Sequence, residues 1–134
     1  MVVAFLQIDN QFSFAKPILK DSYEGVASIH VKNENYVTAR KKAVAFAMKN
    51  AMELAFKDLM GEEEFTANQR DLKKIIRRAR RYVKSYRYLQ ALDDLENKVS
   101  EVILEVRFFS GAVNQALAGI GLVADSLSEN KVVV

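Results

Sequence analysis

The sequence predicts an α+β fold, a two-layer sandwich in which one long helix and shorter helices pack on one face of an antiparallel sheet. Three observations carry that prediction. Alanine recurs at every fourth position, at Ala39, Ala43, Ala47, Ala51 and Ala55, the step that keeps side chains on one face of an α-helix. Two segments alternate in hydropathy with period two, one through Ala27, Ile29 and Val31 and one through Val102, Leu104, Val106 and Phe108. A polar link, Leu92 to Lys98, joins the second of these to a preceding tyrosine-rich run, the pattern of an antiparallel hairpin.

The elements follow in order. Residues 1–23 read as an N-terminal strand or packed arm. Met1 to Asp9 is apolar but short, lacks the basic residues that precede a signal core, and is followed by no small-residue cleavage site. Phe12, Phe14 and Ile18 need cover, and Pro17 disfavours a regular helix there. Glu24 to Lys32 is a strand with Ser28, His30 and Lys32 on its polar face. Asn33-Glu34-Asn35 closes it and offers N-cap side chains. The long helix runs from Tyr36 to Met60 and ends at Gly61. Val44, Phe46, Met48, Leu54 and Leu59 are expected to widen its apolar surface, with Arg40, Lys41, Lys42, Lys49 and Lys57 on the wetter side.

Glu62-Glu63-Glu64 opens a second helical stretch, where acids complement the helix dipole. Phe65, Leu72, Ile75, Ile76, Ala79 and Val83 keep near-helical spacing along it. It gives way to strand between Arg80 and Lys84. Tyr82 to Ala91, which is rich in tyrosine and also alternates, and Val99 to Phe109 form the hairpin, and Gly111 to Val123 is a short apolar helix burying Val113, Leu117, Ile120 and Leu122.

A chain of 134 residues, 50% apolar and 28% charged, is long enough for one domain with its own core. The absence of cysteine excludes disulfides, thiolate metal sites and cysteine nucleophiles. No apolar run approaches the roughly 18 residues of a membrane span. The final Lys131-Val132-Val133-Val134 stops without a polar tail, as expected of a chain cut from a longer protein as much as of a complete one.

Reactive chemistry has few candidates. His30 is the single histidine, and beside an apolar strand face it reads as a solvent-facing side chain without the partners a base or ligand needs. Asp93, Asp94 and Glu96 could hold a divalent cation weakly, but they lack the glycine and twelfth-position glutamate of a calcium loop. A solvated turn is the reading we expect of them. Gly119 and Gly121 fall at the end of a helical stretch, whereas a dinucleotide loop opens one. The sequence therefore assigns no catalytic, cofactor-binding or metal-binding residue, and an enzyme is not expected.

The charge distribution is less ordinary. Arg70 to Arg87 holds nine basic residues and one acid, a net +8 against +3 for the whole chain, which leaves the remainder at −5. Lys73, Lys74, Arg77, Arg78 and Arg81 would form a broad stripe on one continuous helix. With Arg80, Tyr86 and Tyr88 they are the candidate partner-binding residues. A solvated face or a contact with an acidic protein surface or another copy is the expected use. The alternative is nucleic-acid binding, with phosphates along the stripe and bases on the tyrosines. An anionic membrane surface would also attract the stripe.

Several of these segments carry a resemblance. Glu24-Gly25-Val26-Ala27-Ser28-Ile29, then Ala39-Arg40-Lys41-Lys42-Ala43 on to Ala51, then Val83-Lys84-Ser85-Tyr86-Arg87-Tyr88-Leu89 and the strand from Val99 to Phe109, follow one another in a recurrent bacterial order. The chain thereby resembles the N-terminal domain of flagellar assembly protein T and related small envelope lipoproteins, over about residues 24–123. The resemblance implies an α/β envelope assembly-type domain at 24–123 with a long helix against an antiparallel sheet. It implies a structural role in a ring around the flagellar basal body, in the periplasm or at the outer envelope. The cytoplasm is the alternative location. Residues 124–134 are then a tail, and Leu117 to Leu122 with Lys131 to Val134 resemble the start of a further domain.

Overall fold

The computed structural model describes residues 18–122; the expected arm at 1–23 lies mostly outside that range, and the tail at 124–134 wholly so. The expected α+β sandwich is present. The chain runs β1 (Tyr23–His30), α1 (Tyr36–Ala67), α2 (Gln69–Ile76), a 3-10 turn (Ala79–Tyr82), β2 (Val83–Asp94), β3 (Val99–Phe108) and α3 (Ser110–Gly119). β3 is the middle strand and is antiparallel to β1 on one side and β2 on the other. Helices occupy one face of this sheet.

Local chemistry sets the ends of α1. The Asn35 side chain accepts a hydrogen bond from the Thr38 N–H at 3.0 Å, as its sequence position suggests. At the far end Gly61 adopts φ 86° and ψ 163°, a conformation an L-residue avoids, and the helix breaks there. It resumes at once with Glu62 and continues to Ala67. The second helical stretch is therefore two pieces: the tail of α1, and α2 beyond Asn68, whose N–H bonds back to the Glu64 and Phe65 carbonyls.

The alanine row is the contact between the layers. Ala39, Ala43, Ala47, Ala51 and Ala55 are all buried, joined by Val44, Met48, Met52, Phe56 and Leu59. Beneath them lie Tyr23, Gly25 and Ala27 of β1 and Val102, Leu104 and Val106 of β3. Small side chains let helix and strand approach closely. A methyl group at Gly25 would stand 2.7 Å from the Ala47 carbonyl carbon, nearer still to its oxygen, and 3.1 Å from the Ala51 Cβ. Two further bonds fasten β1 to α1. Asn50 Nδ2 donates to the Val26 carbonyl at 2.7 Å, and the Tyr23 hydroxyl donates to Asp58 Oδ2 at 2.6 Å while accepting from the Lys20 N–H.

Two expectations need correction. Phe46 and Leu54 do not widen the buried surface; they are 47% and 48% exposed, because they lie on the side of α1 turned away from the sheet. The tyrosine-rich strand does not bury alternate residues: from Lys84 to Asp93 every residue of β2 is exposed. The reason is the reach of α1, which packs on β1 and β3 and leaves β2 largely uncovered, meeting it through the Arg40–Asp93 bond at the strand's far end. α3 buries Val113 and Leu117 as expected, but it ends at Gly119, and Ile120 and Leu122 beyond it are only half-buried.

Replacing Gly25 by alanine forces backbone apart and should lower unfolding free energy by about 1–3 kcal/mol in urea titration, the usual range for overpacking. Tyr23 supplies a pH signature. Burial, then its bond to Asp58, pushes the phenol up to about 12. A group raised in the folded state stabilises fully below its unfolded value, near 10, and that contribution is lost as pH rises through about 12. Alkaline melts should show this loss, and Tyr23→Phe should flatten that slope.

Candidate interaction surface

The basic segment is built on three consecutive elements, not on one helix. α2 buries Leu72, Ile75 and Ile76, which leaves Lys73 and Lys74 exposed in its last turn, where cations complement the helix dipole. The helix stops at Ile76. Arg77 and Arg78 lie in the following turn, and Arg80 and Arg81 on the 3-10 turn, held down by buried Ala79 and half-buried Tyr82. The continuous helical stripe expected from the sequence is thus corrected to a cation-rich helix end, turn and strand entry. Lys74 lies 3.7 Å from Asp71; among the described residues no ion pair engages Lys73, Arg77, Arg78, Arg80 or Arg81.

Downstream the chain enters β2. Tyr86 and Tyr88 are 41% and 46% exposed, with ring centroids 6.1 Å apart in an edge arrangement. They pair with Val106 and Leu104, so they share the helix side of the sheet, beyond the cover of α1. Register breaks between Val83 and Ser85 and between Tyr88 and Gln90 make Lys84 and Leu89 bulge residues. Leu89 and Leu92 are exposed as well. The outer edge of β2 has no partner strand among the described residues. All eight partner-binding candidates are therefore exposed and lie within one chain segment, 73–88, which Ile75, Ile76 and Ala79 anchor to the core.

The other polar groups are occupied by the fold. Ser100 is completely buried, in step with Val102, Leu104 and Val106. Its hydroxyl donates to Asp93 Oδ1 at 2.9 Å and accepts from Arg40 Nε at 3.3 Å, and Arg40 Nη2 donates to the same Asp93 oxygen at 2.8 Å. This trio ties the start of α1 to the far end of the hairpin. The Ser100 bond, with Arg40 behind it, holds the Asp93 carboxyl below its ordinary value. Asp94 accepts from the Glu96 and Asn97 N–H groups and from Asn97 Nδ2, which shapes the turn and lowers its own pKa. Glu105, bonded by Arg87 Nε at 2.6 Å across the strands, is lowered too. Asp93 and Asp94 of the link thus have separate structural tasks, and Glu105 holds the strand pair. Among the described residues no group of three His, Asp or Glu is placed to hold a metal ion.

His30 is exposed at the end of β1, beside an open cleft of about 350 Å³ that Lys32, Asn33, Thr38 and Lys42 also line. Gly121 (φ 88°) terminates α3: the Leu122 N–H reaches the Leu117 carbonyl and the Gly121 N–H reaches that of Ala118, the hydrogen bonds of a glycine-ended helix. The Arg40–Ser100–Asp93 trio joins residues that no spacing in the sequence links. The readable signal was a serine standing in an otherwise apolar strand face.

Carboxyls held low stabilise above their unfolded values and lose that effect as pH falls through the folded ones. Stability should therefore decline as pH drops below about 4, and Asp93→Asn should start lower at neutral pH and decline less steeply, read as the urea midpoint against pH.

No curated protein and no solved structure matches the chain. A family described as a domain of unknown function, DUF8605, matches residues 25–124, from the glycine under α1 to just past the end of α3, and the chain belongs to that family.

Proposed function

We propose that this chain is a non-enzymatic interaction domain of a bacterial envelope protein, acting through the surface from Lys73 to Leu92. The setting suggested by the resemblance to flagellar assembly protein T is a ring or similar structure at the basal body. One observation carries the reading. The carboxyls of Asp93, Asp94 and Glu105 and the phenol of Tyr23 are bonded within the fold, whereas Lys73, Arg77, Arg78, Arg80 and Arg81, engaged in no ion pair among the described residues, lie exposed on one segment with Tyr86 and Tyr88. A strand exposed from Lys84 to Asp93 is a natural docking edge. The adjoining cations suit an acidic protein surface, and in low salt they would draw it in from a distance.

Chemical cross-linking in the native cell should place the chain in an assembly larger than the monomer. Reversing Arg77 and Arg81 to Glu should reduce that cross-linked fraction about fivefold, while the melting temperature moves by no more than about 3 °C, as for exposed substitutions. An unchanged fraction would remove the basic segment from the reading. Loss of the assembly on nuclease treatment would favour nucleic acid as the partner, through the same cations and Tyr86 and Tyr88.

A further inference from the structure

We infer that the partner at the β2 edge is a second copy of this chain, paired antiparallel through β2 so that two three-stranded sheets become one of six strands. The inference rests on the interaction reading above and narrows it. It stands on three features of β2: an edge with no partner strand among the described residues, a charge gradient along the strand, and the position of the bulge at Leu89.

The charge gradient selects the direction. Arg80, Arg81, Lys84 and Arg87 lie at the start of β2 and just before it; Asp93, Asp94 and Glu96 lie at its end and in the turn beyond. Antiparallel pairing about the strand's midpoint lays the basic half of each copy along the acidic half of the other. Parallel pairing would set like charges side by side, which is unfavourable between neighbouring strands. Asp93 can take part without leaving its place, because the bonds from Arg40 and Ser100 both use Oδ1 and leave Oδ2 unengaged by either.

The bulge selects the register. Residues paired across neighbouring antiparallel strands must share a face of the sheet. Tyr86 and Ala91 both lie on the helix side, opposite Val106 and Val102 of β3. Ser85 and Leu92 both lie on the open side, opposite Arg107 and Glu101, as do Arg87 and Gln90, opposite Glu105 and Ile103. Because Leu89 is inserted, alternation restarts at Gln90. A twofold axis between Tyr88 and Leu89 then matches Tyr86 with Ala91, Ser85 with Leu92 and Arg87 with Gln90, each pair on one face. The same axis brings Lys84 opposite Asp93 and carries Arg81 towards Glu96. The exposed Tyr86 and Tyr88 of both copies meet over the helix side, where α1 gives no cover.

The twofold makes the interface isologous, so each charge contact occurs twice. Sedimentation equilibrium on the purified full chain should give a concentration-dependent dimer. Arg81→Glu and Glu96→Arg should each weaken it about tenfold, two exposed pairs being lost and replaced by repulsion, and the double variant should return close to the parent value. The chain has no cysteine, which allows a positional check. Leu89→Cys, beside the axis, should cross-link to a dimer with a short bismaleimide, whereas Val37→Cys, exposed on α1, should not. A chain that stays monomeric at all concentrations, a double variant that is not rescued, or equal cross-linking at both cysteines would overturn the inference. Monomeric purified chain together with a charge-sensitive assembly in the cell would overturn the second copy and leave the interaction reading standing. Absence of both would remove both.

Discussion

The contact of the α1 alanine row with β1 at Gly25 is the constraint from which the rest of the architecture follows. With no Cβ at Gly25 and only methyl groups at Ala47 and Ala51, the helix backbone comes down almost onto the strand backbone. Larger residues would lift the helix and open a gap that neighbouring side chains could not fill at the density of a protein interior. Such close seating leaves little freedom in where the helix lies. Tyr23–Asp58 and Asn50–Val26 then pin it along β1, and Arg40 anchors its first turns to Ser100 and Asp93 at the hairpin end.

That placement has a consequence at the opposite edge of the sheet. A single helix lying over β1 and β3 cannot also cover β2. The strand is held by its ladder to β3, by the Arg87–Glu105 bond on the open face and by the bonds of Arg40 and Ser100 to Asp93 at its far end, not by burial between layers. Proteins usually blunt such an edge with charge, bulges or short length. β2 has charge and two bulges, yet it keeps twelve residues and two exposed tyrosines. The bulges shape the edge without closing it, which is why we read it as a surface for association.

The polar interior supports the same view from another direction. A buried hydroxyl is tolerated only when it is bonded, and Ser100 is bonded both as donor and as acceptor. Asp93 serves the same trio, so its depressed pKa reports structural anchoring. Perturbed carboxyls are often read as signs of catalysis. Here each one has a local partner whose task is to hold a helix end, a turn or a strand pair. Membership in a family described only as a domain of unknown function leaves the functional argument to these side chains.

Periodicity is a property of neighbours along the chain, so the elements were legible in the sequence itself: the four-residue alanine step, the two-residue alternation of β1 and β3, the Asn35 cap and the break at Gly61. The run of cations from Lys73 to Arg81 was legible too, because an excess of charge needs no coordinates to be seen. Strand order, the exposure of β2, the outward turn of Phe46 and Leu54 and the Arg40–Ser100–Asp93 trio were decided only by tertiary structure. Each of these depends on contacts between residues far apart in the chain: which strands pair, and which side of one helix faces the sheet. Residues such as Arg40 and Ser100, 60 positions apart, meet only once that helix has been seated.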